Sequence, residues 1–107
     1  THGTGTPNND SSEAKALANV FGKNIPAYSS TKSFTGHTLG ACGGVEAVFS
    51  IMSIVNQEVY AGLNFTQADE DIETNPIVEY KKTEVMHVLS NSFGFGGNNS
   101  TLIFSKI

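Results

Sequence analysis

The run from His37 or Thr38 to about Gln57 is apolar on nearly every face, and it constrains the fold more than any other stretch of the chain. A helix of almost twenty such residues has the length of a membrane span. Glu46 in mid-run and a Gly/Ala-rich composition argue against that reading. The alternative is a helix buried inside a protein core, with other elements on all sides. Gly36, Gly40 and Gly44 recur every fourth position, with Gly43 beside them. Each interior glycine costs roughly 0.8–1 kcal/mol relative to alanine. Several together therefore predict close approach of another backbone.

The flanking segments supply the other layers. Asp10 followed by Glu13 has the spacing of a capping box. Ala14, Leu17, Ala18 and Phe21 then repeat at helical intervals, and Gly22 can end the helix. Short strands are expected near 26–30 and 77–80. Two longer ones, about 84–92 and 100–106, flank "FGFGGNN", whose Gly-Gly and Asn-Asn pairs suit a hairpin turn. Helix, strand, buried helix and hairpin in that order indicate an α/β fold with a mixed sheet.

At 107 residues the chain has room for one domain, with a single core. Its 38% hydrophobic and 15% charged residues describe a soluble globular protein. All six basic residues are lysine and the net charge is −4, a poor basis for holding nucleic acid. The acidic run "ADEDIE" at 68–73 reads as a solvated loop. One cysteine allows no internal disulfide, which fits a reducing compartment such as the cytoplasm. The N-x-S/T triplets at Asn64, Asn98 and Asn99 are read as chance. The chain starts at Thr1 and runs straight into "THGTGTP", which reads as a piece of a larger protein.

Three segments could carry chemistry: "HGTGT" at 2–6, "TKSFTGH" at 31–37 and "NSFGFGG" at 91–97. Each is weak alone. The first lacks the third glycine of a dinucleotide fingerprint, the last could be a plain turn, and an isolated Lys32 is ordinarily a surface lysine. His87 falls outside all three and receives no role.

Together, in this order and spacing, they resemble the C-terminal half of the β-ketoacyl synthases, the condensing enzymes of fatty-acid and polyketide synthesis. The resemblance covers essentially all 107 residues. It implies most of the second half of a thiolase-like fold, in which a central helix lies between two sheets. It also implies that the nucleophilic cysteine lies outside this chain, so that the chain alone is inactive. The reaction implied is a decarboxylative Claisen condensation between an acyl thioester and a malonyl thioester. The partner is an acyl carrier protein with phosphopantetheine-linked acyl and malonyl groups, the full-length enzyme is a homodimer or heterodimer, and no cofactor is implied.

Residue by residue, the resemblance makes His2 and His37 neutral donors to the enolate oxygen through Nε2, with Lys32 orienting them. Lys32 and a helix start next to His37 would also disfavour its imidazolium form. Phe95 resembles a gating phenylalanine whose N–H helps form an oxyanion hole, while Phe93 is expected to be a packing residue. Thr4 and Thr6 match positions that bind the pantetheine arm. Glu46, a carboxylate in an apolar helix, needs a partner. By resemblance it holds water near Lys32 and helps bind a structural monovalent cation with groups near Ser90 and Asn91; no other metal is implied. Cys42 stands where similar enzymes usually carry a small residue such as alanine, and it reads as a space-filling core thiol.

Asn98 replaces the threonine common after GFGG, and "HGTGTPNND" is nearer to specialised pathways, so the pathway stays open. Two other readings compete: a thiolase, and a non-catalytic partner subunit resembling the chain-length factors. The retained His2, Lys32 and His37 favour the synthase.

Overall fold

The computed structural model describes residues 1–68 and 74–107. Most of the acidic run therefore lies outside the described residues.

The first helix, α1, spans Pro7–Phe21, four residues longer at its start than the Asp10 capping pattern implies. Proline sets the helical φ and has no N–H to lose at N1, so Pro7 starts the helix and Asp10 falls in its first turn. Gly22 ends it with φ +60° and an N–H bonded to the Ala18 carbonyl. Residues 26–30 are extended but form no strand. They hold their neighbours through single bonds instead: Thr1 N donates to Ser29 O at 2.8 Å, and Ile77 N to Tyr28 O at 2.8 Å.

A short helix, α2 (Lys32–Thr35), is closed by Gly36 N donating to Lys32 O. The long apolar run then divides. A 3-10 turn covers Leu39–Ala41, and α3 runs from Cys42 to Asn56. His37 thus lies outside α3, five residues before Cys42, and the helix-start argument for its neutrality does not hold.

The strands pair antiparallel. β1 (Glu58–Val59) pairs with β2 (Lys81–Lys82), which replaces the strand expected at 77–80. β3 (His87–Phe93) pairs with β4 (Asn99–Ser105) in the expected hairpin, with His87 opposite Ser105 and Phe93 opposite Asn99. The architecture is α/β, and both strand pairings among the described residues are antiparallel.

The hairpin packs on one side of α3. That side buries Cys42, Glu46, Ser50, Ser53 and Ile54. The other side is bare: Val48, Ile51, Met52 and Val55 are exposed, Val55 at 72%. A β-carbon added at Gly40 or Gly44 would meet nothing within 4 Å, so no backbone among the described residues fills the glycine stripe there. Leu17, Cys42, Ile54 and Val85 are the buried apolar side chains among the described residues. The segment Leu39–Asn56 is long and apolar enough to cross a membrane by length and composition. Glu46 near its middle is ion-paired to Lys32, and the hairpin covers one face, which are features of a helix in a protein core.

Candidate active site

Three loops converge where α3 begins. The 2–6 loop is tied to α1 by Glu13, whose Oε1 accepts from His2 N at 2.9 Å and whose Oε2 accepts from Gly3 N at 3.1 Å. Asn91 Nδ2, from β3, donates to Glu13 Oε1 at 3.2 Å, and Thr101 Oγ1, from β4, donates to Asn91 Oδ1 at 2.9 Å. Glu13 is buried. It therefore serves the loop that carries His2, not a capping box, and Asn91 is the residue of β3 that holds it. Gly3 is required by geometry. Its φ is +50°, and a β-carbon there would lie 2.4 Å from Ser30 Cβ.

Lys32 is buried at the head of α2 and makes three contacts. Its Nζ pairs with Glu46 Oε1, donates to His2 O at 2.5 Å and lies 3.4 Å from His2 Nδ1. An ammonium has no lone pair to offer, so Nδ1 accepts and the ring proton sits on Nε2. His37 reaches the same tautomer differently, since Leu39 N donates to its Nδ1 at 3.1 Å. The two rings meet edge to face with centroids 5.4 Å apart. His2 is buried and His37 exposed, so an exposed and a sheltered N–H stand side by side. Burial, and after it the Lys32 charge, hold His2 below its ordinary pKa of 6.5, so it is neutral at pH 7.

Phe93 packs its ring on His2, with centroids 5.6 Å apart. Its packing role is therefore played inside the site. Phe95 lies two residues further on, at the tip of the turn, with its side chain fully exposed. Gly96 and Gly97 adopt φ +83° and +84°, which the turn requires and other residues disfavour. Gly94 N donates to Asn98 O and Gly97 N to Gly94 O, so the turn is closed on itself.

Thr4 and Thr6 meet each other through their hydroxyls at 3.1 Å, and Thr4 N is held by Asn9 Oδ1. A cleft of about 630 Å³ opens beside them, lined by Thr4, Lys32, His37 and Phe65. Glu46 turns away from it. Its Oε1 accepts from Lys32 and, at 3.1 Å, from the thiol of Cys42. Its Oε2 is buried without a partner among the described residues, and Glu46 lines a second cavity of about 400 Å³ together with Ser90 and Asn91. An anionic oxygen in that position fits a water or a hard monovalent cation. His87 lies at the far end of the hairpin, bonded to Ser105 Oγ at 2.9 Å.

The arrangement puts two N–H donors side by side, His37 lining the cleft and His2 buried next to it, with the buried Lys32 ammonium beside His2. That suits an oxygen gaining negative charge. Glu13 escaped the sequence reading. Its buried position facing residues 2 and 3 depends on the helix starting at Pro7, the one local signal that could have shown it.

Residues 1–66 match the family described as beta-ketoacyl synthase, C-terminal domain. The chain is 48% identical over 107 residues to 3-oxoacyl-[acyl-carrier-protein] synthase 1 of Haemophilus influenzae, covering 98% of this chain and 26% of that protein. It is 42% identical to the corresponding Escherichia coli enzyme, over 99% of this chain and 26% of that protein. Among solved structures, the ishigamide ketosynthase/chain length factor superposes with a TM-score of 0.95 at 31% identity, over 99% of this chain and 27% of that one. A type II PKS ketosynthase in complex with its acyl-carrier protein, bound to the hexaketide, gives 0.94 at 29% identity, again over 99% and 27%. These structures share the fold, which is thiolase-like. The chain spans about a quarter of the length of the curated relatives it matches.

Proposed function

This chain belongs to the β-ketoacyl synthases through their C-terminal domain, and from that membership we propose that it carries the decarboxylation centre of a 3-oxoacyl-(acyl-carrier-protein) synthase. The observation that carries the reading is the matched tautomer of His2 and His37, each with Nδ1 occupied and Nε2–H free to donate.

In this mechanism the malonyl thioester sits in the cleft with its carbonyl oxygen between the two Nε2–H groups. The bond to the carboxylate breaks, carbon dioxide leaves, and the electron pair moves onto the thioester oxygen as an enolate. Donors already aimed at that oxygen lower the barrier without reorganising. The enolate carbon then attacks the acyl carbon, which is held as a thioester on a cysteine outside this chain. The tetrahedral oxyanion is held at the Phe95 N–H, and the new carbon–carbon bond expels the cysteine thiolate. Lys32 keeps both His2 atoms in place and stays charged against Glu46. Thr4 and Thr6 bind the pantetheine arm of the carrier protein. A monovalent cation held by Glu46, Ser90 and Asn91 would be structural, and no step runs through it. The working enzyme is a cytoplasmic dimer. The retained His2, Lys32 and His37 favour this over a chain-length-factor role.

The test is half-reaction kinetics in the full-length enzyme. His2→Ala and His37→Ala are expected to lose at least about a hundredfold in malonyl decarboxylation, while acylation of the nucleophile stays partly intact. Variants that decarboxylate normally but fail at acylation would refute the donor role.

A further inference from the structure

Cys42 is buried at the first turn of α3, and it has polar company. Its thiol donates to Glu46 Oε1 at 3.1 Å, one helical turn on. The same oxygen takes the Lys32 ammonium. Thiol, carboxylate and ammonium therefore form a triangle behind the site whose shared corner is Glu46 Oε1, while the other carboxylate oxygen, on a side chain more than nine-tenths buried, has no partner among the described residues. A buried carboxylate with one free oxygen attracts any cation that can turn toward it. Lys32 is the cation already on Glu46, through Oε1, and it must also face His2.

We propose that Cys42 is a positioning residue for Lys32: its thiol shares Glu46 Oε1 with the ammonium and so leaves Lys32 aimed at His2 Nδ1. The inference rests on the decarboxylation role proposed above. A thiol is a weak donor, but its acceptor is charged. Alanine at this position would fill the space without donating.

The space-filling reading and the positioning reading predict opposite rankings. If the thiol only fills space, Cys42→Ala is harmless and Cys42→Ser, which buries a hydroxyl, is the worse variant. If it positions Lys32, serine preserves the donor and alanine removes it. In the full-length enzyme, Cys42→Ala is expected to lower kcat for malonyl decarboxylation about fivefold, the scale of one modest hydrogen bond, with KM unchanged. Cys42→Ser should stay within about twofold of wild type on the same scale. Thermal stability is measured alongside. A second readout is independent of activity: the infrared S–H stretch that Cys42→Ala removes should lie below that of a free thiol and move up in Glu46→Gln. Wild-type decarboxylation in Cys42→Ala, or an S–H band at the free-thiol position, overturns the proposal. If the wild-type enzyme itself does not decarboxylate malonyl thioesters, the functional reading fails, and the infrared band still reports whether the triangle exists.

Discussion

His2 shows how much of the site depends on a few atoms around one ring. Its Nδ1 faces Lys32, its carbonyl accepts from the same ammonium, and its N–H is held by Glu13. Burial first and Lys32 second lower its pKa below 6.5. The His2 contribution to decarboxylation should therefore persist as pH falls through 6.5 and fail only below it, once its imidazolium forms and Nδ1 can no longer accept. Lys32→Met removes one of the two main causes, so the acid limb should move to higher pH while overall activity falls. A pH profile of malonyl decarboxylation in the full-length enzyme checks this, and a wild-type limb at or above 6.5 would contradict it. The residues of this centre were legible in the sequence, because His2, Lys32 and His37 sit in motifs whose joint spacing is specific. Glu13 was not. Three positions after Asp10 it looks like a cap, and only Pro7 as the first helical residue turns it toward the 2–6 loop. The tautomer of His37 was legible in outcome but not in cause, since it comes from the Leu39 N–H and not from a helix end.

Among the elements, the β3–β4 hairpin was readable because Gly and Asn at its turn have a backbone reason to be there. The turn makes separable predictions. Phe95→Ala should keep the backbone N–H yet weaken chain-length discrimination and the order of substrate loading. Gly96→Val, forced at φ +83°, should slow acyl transfer for every chain length. Acylation rates across chain lengths distinguish them, and an unchanged preference in Phe95→Ala would end the gating role. β1 and β2 were not readable, since two residues each carry no periodicity. They are clasped by Glu58, a buried carboxylate accepting from Tyr60 and Asn56 on one oxygen and from Tyr80 and Lys82 on the other. The Lys82, Tyr80 and Tyr60 bonds, in that order, pull Glu58 from 4.5 down to about 2, while burial and the Glu58 bond push Tyr60 up to about 12. Because the folded pKa is depressed, the stabilisation is complete above about 4.5 and lost as pH falls toward about 2. Glu58→Gln should lower Tm at neutral pH and flatten its fall over that window. Parallel Tm curves for variant and wild type would disprove the clasp.

At the scale of the whole molecule, the α/β class was legible, but the covering of α3 was not. Apolarity all round predicts burial without saying which chain segment provides it, and here one side meets the hairpin while Val48 and Val55 stay bare. The order of assembly is also set at this scale. Thr101, Asn91 and Glu13 form a relay that ends on the N–H groups of His2 and Gly3, and its Asn91–Glu13 link joins positions 78 residues apart. The 2–6 loop has no ladder of its own, so those two amides depend on a strand near the other end of the chain. In native-state hydrogen exchange on the full-length protein, the His2 and Gly3 amides should open with whichever of α1 and the β3–β4 hairpin opens first, since Glu13 on α1 is their acceptor and Asn91 on β3 holds Glu13. Asn91→Ala should release them while leaving the middle of α1 protected; continued slow exchange in that variant would show that the loop is held some other way. His2 then inherits the lower opening free energy of α1 and the hairpin, and any event that loosens the hairpin loosens the loop that carries it.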